Sequence, residues 1–448
     1  MKKAVLWVLV ITVLVGMLVV FTLTGCKTTV ETTAAETTAA ATTAAATTAA
    51  ATTAAETTAA AEKGPINIGV LTVTSGAFAQ LGQDEIDGVN IAFEDVGFTV
   101  AGRKINIFIE GTDITPETAV DQMRAAVERD KCQIVIGPLS GAEGTAIKNS
   151  AGEWPDTTIL VASSAAENVT MPPVLDNVWR VSFQGMQPMH PFGEWAYDQG
   201  YKKVVTLGED YDFPWAHVGG FLKTFTDKGG KVAKKYWVPI GTSDYSSVIS
   251  DISKDIDAIY LTISGTDIIN FLTQMKSFGL NVPILGGATS LDAGTLTTIG
   301  EGVEGVCSGS VFTSALDRPQ LKHLYDRFYA LRGRPVGLFT GMKYDAALVA
   351  IQAIEAVNGN IEDIAAFREA LKNGKYEGSV CSMQFDDLHQ MIRDVFINQV
   401  QNVDGVWKNV PIKTYPAVNQ FWTYSAADYE KLPLYNKETI DQLFPNAQ

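Results

Sequence analysis

Cationic runs are scarce in this sequence beyond its first residues, and so are cysteine and histidine. Lys and Arg number 34 against 50 Asp and Glu, a formal net charge of -16 over 448 residues. Nucleic-acid binding needs clustered Lys/Arg to neutralise phosphates, so no nucleic-acid partner is expected. The four histidines, His190, His217, His323 and His389, share no metal-ligand spacing and read as surface or satisfied structural residues. No metal and no cofactor is expected. Also missing are a Gly-x-Ser-x-Gly elbow, a His-Glu-x-x-His pair, a Walker A lysine and a Gly-x-Gly-x-x-Gly helix start. These gaps weaken an enzyme reading, and adjacent acids such as Glu209/Asp210 or Asp386/Asp387 are expected simply to face water. Apolar material is plentiful: 46% of residues are hydrophobic, enough for a substantial core and two lobes.

Met1-Lys2-Lys3 followed by the apolar run Ala4 to Phe21 has the form of an export signal. The tetrapeptide Leu23-Thr24-Gly25-Cys26 resembles the lipobox of bacterial lipoproteins, in which the signal is cleaved before a cysteine that then carries lipid. That resemblance implies a signal peptide over 1–25, lipid attachment at Cys26, and an extracytoplasmic protein anchored at the cell surface or in the periplasm. An uncleaved anchor is the alternative, because the run nearly reaches membrane-spanning length. Residues 26–64 form a tether, in which Thr28 to Lys63 repeats Thr-Thr-Ala-Ala and cannot bury a core. As a flexible coil of about 36 residues it reaches roughly 30–35 Å. Of Cys132, Cys307 and Cys381 at least one is unpaired, and a Cys307–Cys381 bridge stays open.

From Ile66 onward, short apolar strands alternate with amphipathic helices, which predicts an α/β fold with parallel sheets covered on both faces. The stretch Gln133 to Ile147, QIVIGPLSGAEGTAI, reads as a buried strand, a small-residue loop and a helix start. Such a loop sits at the strand's carboxyl end, where unpaired helix N–H groups attract negative charge, although a plain βα turn reads the same way. A second small loop, Ser163-Ser164-Ala165-Ala166, follows the strand Thr158 to Ala162, and the alternation restarts after Val181 as a second lobe. Near the end, Tyr376–Phe385 and Arg393–Val400 predict a hairpin around Asp386-Asp387. Beyond Pro411 the chain looks aromatic and irregular, an arm on the surface.

Several stretches in order are similar to the substrate-binding lipoproteins of ABC importers of the branched-chain amino-acid-binding type, which have the type I periplasmic-binding fold. They are INIGVLTVTSGAFAQLGQDEIDGVNIAFED, IVIGPLSG, ILVASSAAENVT, VVTLGEDYDFPWA, KYDAALVAIQAIEAV and YEGSVCSMQFDDLHQMIRDVFINQV, spanning nearly all of 65–410. The resemblance implies two Rossmann-like lobes with parallel-rich sheets joined by a three-strand hinge. Lobe one would hold 65–181 and 306–375, lobe two 182–305 and 376–415, with an arm at 416–448. It further implies a small polar ligand, an amino acid or related carboxylate or amide, held between the lobes by hinge closure and passed to an ABC permease without catalysis. The implied ligand residues are Phe78, Ser140, Gly141, Ala142, Ser163, Ser164, Ala165 and Tyr211. One departure stands out: where amino-acid binders commonly carry an acid for the ammonium, this chain reads Ala288-Thr289. Either Asp210, Asp212 or another acid substitutes, or the ligand is no α-amino acid, with Thr289 offering a neutral hydrogen bond. Trp215 and Phe183 would suit a larger apolar ligand. Two rival readings are a ligand sensor of the same fold reporting to a membrane receptor, and a secreted hydrolase using Ser140 or Ser163.

Overall fold

A computed structural model describes residues 63–447; the signal peptide, Cys26 and nearly all of the tether lie outside the described residues. The first sheet is built from β1 (Ile66–Val73), β2 (Thr99–Val100), β3 (Arg103–Thr112), β4 (Ile134–Ile136), β5 (Thr158–Val161) and β6 (Val178–Arg180), in the order β2-β3-β1-β4-β5-β6. All neighbours are parallel except the short edge pair β2 and β3. The second takes β7 (Lys203–Glu209), β8 (Lys231–Val238), β9 (Ala258–Thr262), β10 (Ile284–Gly286) and β11 (Cys307–Ser310), parallel in the order β8-β7-β9-β10-β11. It continues antiparallel through β12 (Tyr376–Glu377), β13 (Ser382–Phe385), β14 (Met391–Val403) and β15 (Val406–Val418).

The helices are α1 (Ala79–Asp95), α2 (Pro116–Glu128), α3 (Gly141–Ser150), α4 (Met189–Asp198), α5 (Asp212–Asp227), α6 (Ser246–Asp251) and α7 (Gly265–Ser277). After them come α8 (Ala293–Ile299), α9 (Pro319–Arg332), α10 (Leu338–Ala356), α11 (Ile364–Asn373), α12 (Ala426–Tyr429) and α13 (Lys437–Leu443). Strands such as β1 are buried on both faces because helices cover both sides, which is why they read as unbroken apolar runs. Side chains of α9, α10 and α11, including Phe328, Ile354 and Phe367, join the core of the first sheet. The chain therefore passes between the sheets three times, after β6, after β11 and ahead of β14. At the first and third passages Arg180 and Gln390 form a parallel bridge, with Arg180 Nε 2.6 Å from Gln390 Oε1.

Two expectations need correction, and two open points are filled. The chain past Pro411 is not irregular: β15 runs to Val418, and Pro411 is accommodated because β15 is an edge strand with a bulge near that position. The terminal arm does more than rest on the surface, since Tyr429, Tyr435, Ile440 and Phe444 are buried in the second lobe's core. Helices α6 and α8 were not foreseen; each is too short to show periodicity. Cys307 and Cys381 do not pair, and Cys132 is free as well.

Candidate functional site

In each sheet one strand has neighbours that lead off in opposite directions, β1 in the first and β7 in the second. The crevice beyond the strands' carboxyl ends at such a point is where open α/β sheets bind ligands. Loops from both crevices converge on one cleft with about 380 Å³ of atom-free space, mouth included.

The first lobe's wall begins with the β4 loop. Gly137 has φ of +148°, and a Cβ there would lie 2.1 Å from Leu71 O, so only glycine lets β4 turn so close to β1. Ser140 then caps α3 in a capping box: its Oγ accepts Glu143 N at 3.3 Å and its N–H donates to Glu143 Oε2 at 2.9 Å. The Ser140 N–H is thus taken by Glu143, while its hydroxyl proton stays available. Gly141 also lines the cleft, and a Cβ there would come within 2.9 Å of Phe213 N on the other lobe. From the β5 loop, Ser163 and Ala165 line the cleft, and Ser163 Oγ is buried beside the Glu85 carboxyl without a well-formed hydrogen bond.

Behind this wall lies a buried ion pair. Lys343 Nζ is 3.3 Å from Glu85 Oε2, and it donates to Leu71 O at 3.2 Å and Ile136 O at 3.3 Å, the carboxyl ends of β1 and β4. Burial lowers the Lys343 pKa and raises that of Glu85, each opposed by the partner's charge. Glu143 is likewise raised by burial.

The second lobe supplies Tyr211, Phe213, Ser264 and Thr289. Ser264 Oγ and Thr289 Oγ1 share a hydrogen bond of 2.6 Å, and Ser264 N–H donates to Glu209 Oε1 at 3.1 Å. Glu209 is fully buried, contrary to the expectation that it faces water, and burial pushes its pKa up to about 8. His217 is held neutral by burial, its pKa near 3; its Nδ1 donates to Gly185 O and its Nε2 accepts Ala288 N at 2.9 Å, which shapes the Thr289 loop.

Of the nine expected ligand residues, Phe78, Ser140, Gly141, Ser163, Ala165, Tyr211 and Thr289 line this cleft. Ala142 and Ser164 do not. Ala142 sits one residue into α3, and Ser164 faces Gly144 of that helix, where a Cβ would meet its Oγ at 1.9 Å. The proposed substitute acids are also elsewhere: Asp210 accepts Trp215 Nε1 at 3.0 Å and pairs with Lys437, while Asp212 accepts Thr145 Oγ1 at 2.5 Å. Trp215 is thereby turned from the cleft, whereas Phe183 lines it. Sequence reading missed Leu81, Leu139, Ser264, Phe339 and Met342, and passed over Phe213. The first turns of α1 and α10 carry Leu81, Phe339 and Met342, and nothing in their spacing separates cleft from core.

The finished cleft sets five hydroxyls among four phenylalanines, with no Asp, Glu, Lys, Arg or His in its lining.

The family pattern described as periplasmic binding protein matches residues 65–405. A Leu/Ile/Val-binding protein homolog of Brucella melitensis is 24% identical over 363 residues, covering 78% of this chain and 91% of its own. An ABC transporter substrate-binding protein from Sphaerobacter thermophilus superimposes with a TM-score of 0.74 at 26% identity, over 80% of this chain and 99% of that one. A solute-binding protein of R. palustris in complex with benzoate shares the fold, with a TM-score of 0.75 at 22% identity over 80% and 98% of the two chains.

Proposed function

Because this chain belongs to the periplasmic binding protein family, we propose that it captures a small carboxylate with an apolar, ring-sized body and delivers it to an ABC permease. Membership implies an extracytoplasmic location. Among the described residues no helix is long and apolar enough to cross a membrane. Attachment through lipid on Cys26, with the Thr/Ala segment as tether, completes the proposal.

The observation that carries the ligand class is the cleft lining: hydroxyls and phenylalanines with no charged side chain. A buried ammonium without an acid partner is costly, so a carboxylate lacking an amine fits better than an α-amino acid. Its anionic end would lie at the start of α3, near Gly141, with Ser140 and Ser163 hydroxyls donating. The ring would sit among Phe78, Phe183, Phe213 and Phe339. Micromolar affinity, suited to scavenging, corresponds to about -8 kcal/mol.

A thermal-shift screen tests this with benzoate, 4-hydroxybenzoate, leucine, isoleucine, valine and phenylalanine. Larger shifts with the two benzoates than with any amino acid are expected. The reverse order would replace this ligand class with amino acids.

A further inference from the structure

Glu209 ends β7 directly beneath the second lobe's wall of the cleft and is wholly enclosed. Its Oε1 anchors Ser264 N–H, and Ser264 in turn holds Thr289 through their shared hydroxyl bond. The Tyr211 hydroxyl, two residues on, neighbours the same carboxyl. Its other oxygen, Oε2, is buried without a partner. One carboxyl outside the lining thus stands behind three of the five hydroxyls that face the ligand.

We propose that Glu209 is a specificity-determining residue of this site, which positions Ser264, Thr289 and Tyr211 and sets the charge of the wall opposite α3. The inference rests on the ligand class proposed above, an anion without an amine. Groups facing the carboxyl are Asp267 from α7, Tyr211 from its own loop and Tyr245 ahead of α6, with Val238 opposite on β8. Asp267 is tied to Gly241 N–H and Thr242 N–H, and His217 on α5 stays uncharged. No cation offsets a charge on Glu209 from these positions.

The consequence has a definite sign. With its pKa raised to about 8 by burial, Glu209 is protonated at pH 7 and tolerates an anion in the cleft. As pH climbs through 8 the carboxyl ionises, and repulsion across a poorly solvated wall weakens binding of the anion. Benzoate keeps its charge throughout this range, so the ligand contributes no titration of its own.

The experiment is calorimetric titration of benzoate into the full-length protein at intervals from pH 6.5 to 9, for wild type, Glu209→Gln and Glu209→Ala. Expected are a fall of about tenfold in wild-type affinity, a flat profile for the glutamine variant, which keeps an acceptor for Ser264 N–H, and weak binding at every pH for alanine. A flat wild-type profile, or the same fall in the glutamine variant, overturns the inference while leaving the ligand class standing. If benzoate gives no heat at any pH while leucine or phenylalanine does, the ligand class fails and the inference falls with it. Should the glutamine variant not fold, the wild-type profile decides alone.

Discussion

At the scale of single residues, Ser163 is the side chain whose loss should speak most directly about the ligand. Its hydroxyl is enclosed in the cleft wall beside the Glu85 carboxyl without a well-formed hydrogen bond, so removing it disturbs little in the folded protein. Ser163→Ala is expected to leave the melting temperature within about a degree or two and to weaken ligand binding about tenfold, read by calorimetry. A different response is expected from Lys343, whose charge is buried against Glu85. Lys343→Met leaves an uncompensated buried carboxylate and should cost about 3–5 kcal/mol in chemical denaturation, with Glu85→Gln in the same chain recovering part of it. Seven of the nine expected residues line the cleft, a placement legible because small and hydroxylated residues after a buried strand mark the loop at its carboxyl end. Glu209 was not legible, since a Glu-Asp pair in a loop looks solvated until the Ser264 backbone is seen folded over it.

Titration also belongs at this scale. Glu167 and Glu209 have pKa values raised by burial to about 7 and about 8, above their unfolded values. The folded state then binds more protons than the unfolded one, so their contribution is present below the unfolded pKa and is lost as pH rises through 7 and 8. His190 and His217 are depressed by burial to about 3, so the unfolded chain binds protons first and stability falls as pH drops below 6.5. Together they place a stability maximum between roughly pH 5 and 6, which melting curves across pH 4–8.5 would check. A monotonic rise to pH 8 would contradict it.

Among elements, the contact between α3 and the β5 loop is the tightest to test. A Cβ at Gly144 would stand 1.9 Å from Ser164 Oγ, with Ser164 fixed by the strand it follows. Gly144→Ala should destabilise by about 1–3 kcal/mol, and Ser164→Gly in the same chain should relieve it; denaturant midpoints give the comparison. The strand–helix alternation was readable because apolar runs and helical spacing persist over five residues or more. The short α6 and α8 complete fewer than two turns, too few for a repeated apolar face to show. The arm was misjudged for another reason: Tyr429 and Tyr435 bury their rings but keep polar hydroxyls, which hydrogen-bond to each other at 3.0 Å, and sequence alone does not distinguish such tyrosines from exposed ones.

For the whole molecule, closure of the two lobes is the motion that would enclose a ligand. Thr145 on α3 reaches across to Asp212 at the start of α5, an interlobe hydrogen bond remote from the hinge. Thr145→Val removes it while keeping shape, and should lower ligand affinity about three- to tenfold by disfavouring the closed form, with little change in unfolding free energy. Small-angle scattering should show the ligand-free variant more expanded than wild type, and equal profiles would argue against this contact as a clasp. Two lobes were foreseeable from the restart after Val181; that their rims meet through Gly141 and Phe213 was not, because no local pattern encodes which loops face each other.

The three passages between the sheets also set an order of events. β1 to β6 are translated first, yet α10, which covers them, begins at Leu338. β7 to β11 wait for β14 at Met391, and their core is not filled until Ile440 and Phe444 arrive. Each lobe's core therefore draws on segments far along the chain, and truncation ahead of Ile440 is expected to leave the second core open. A chain wired this way closes both cores only with its late segments, an order compatible with export ahead of folding.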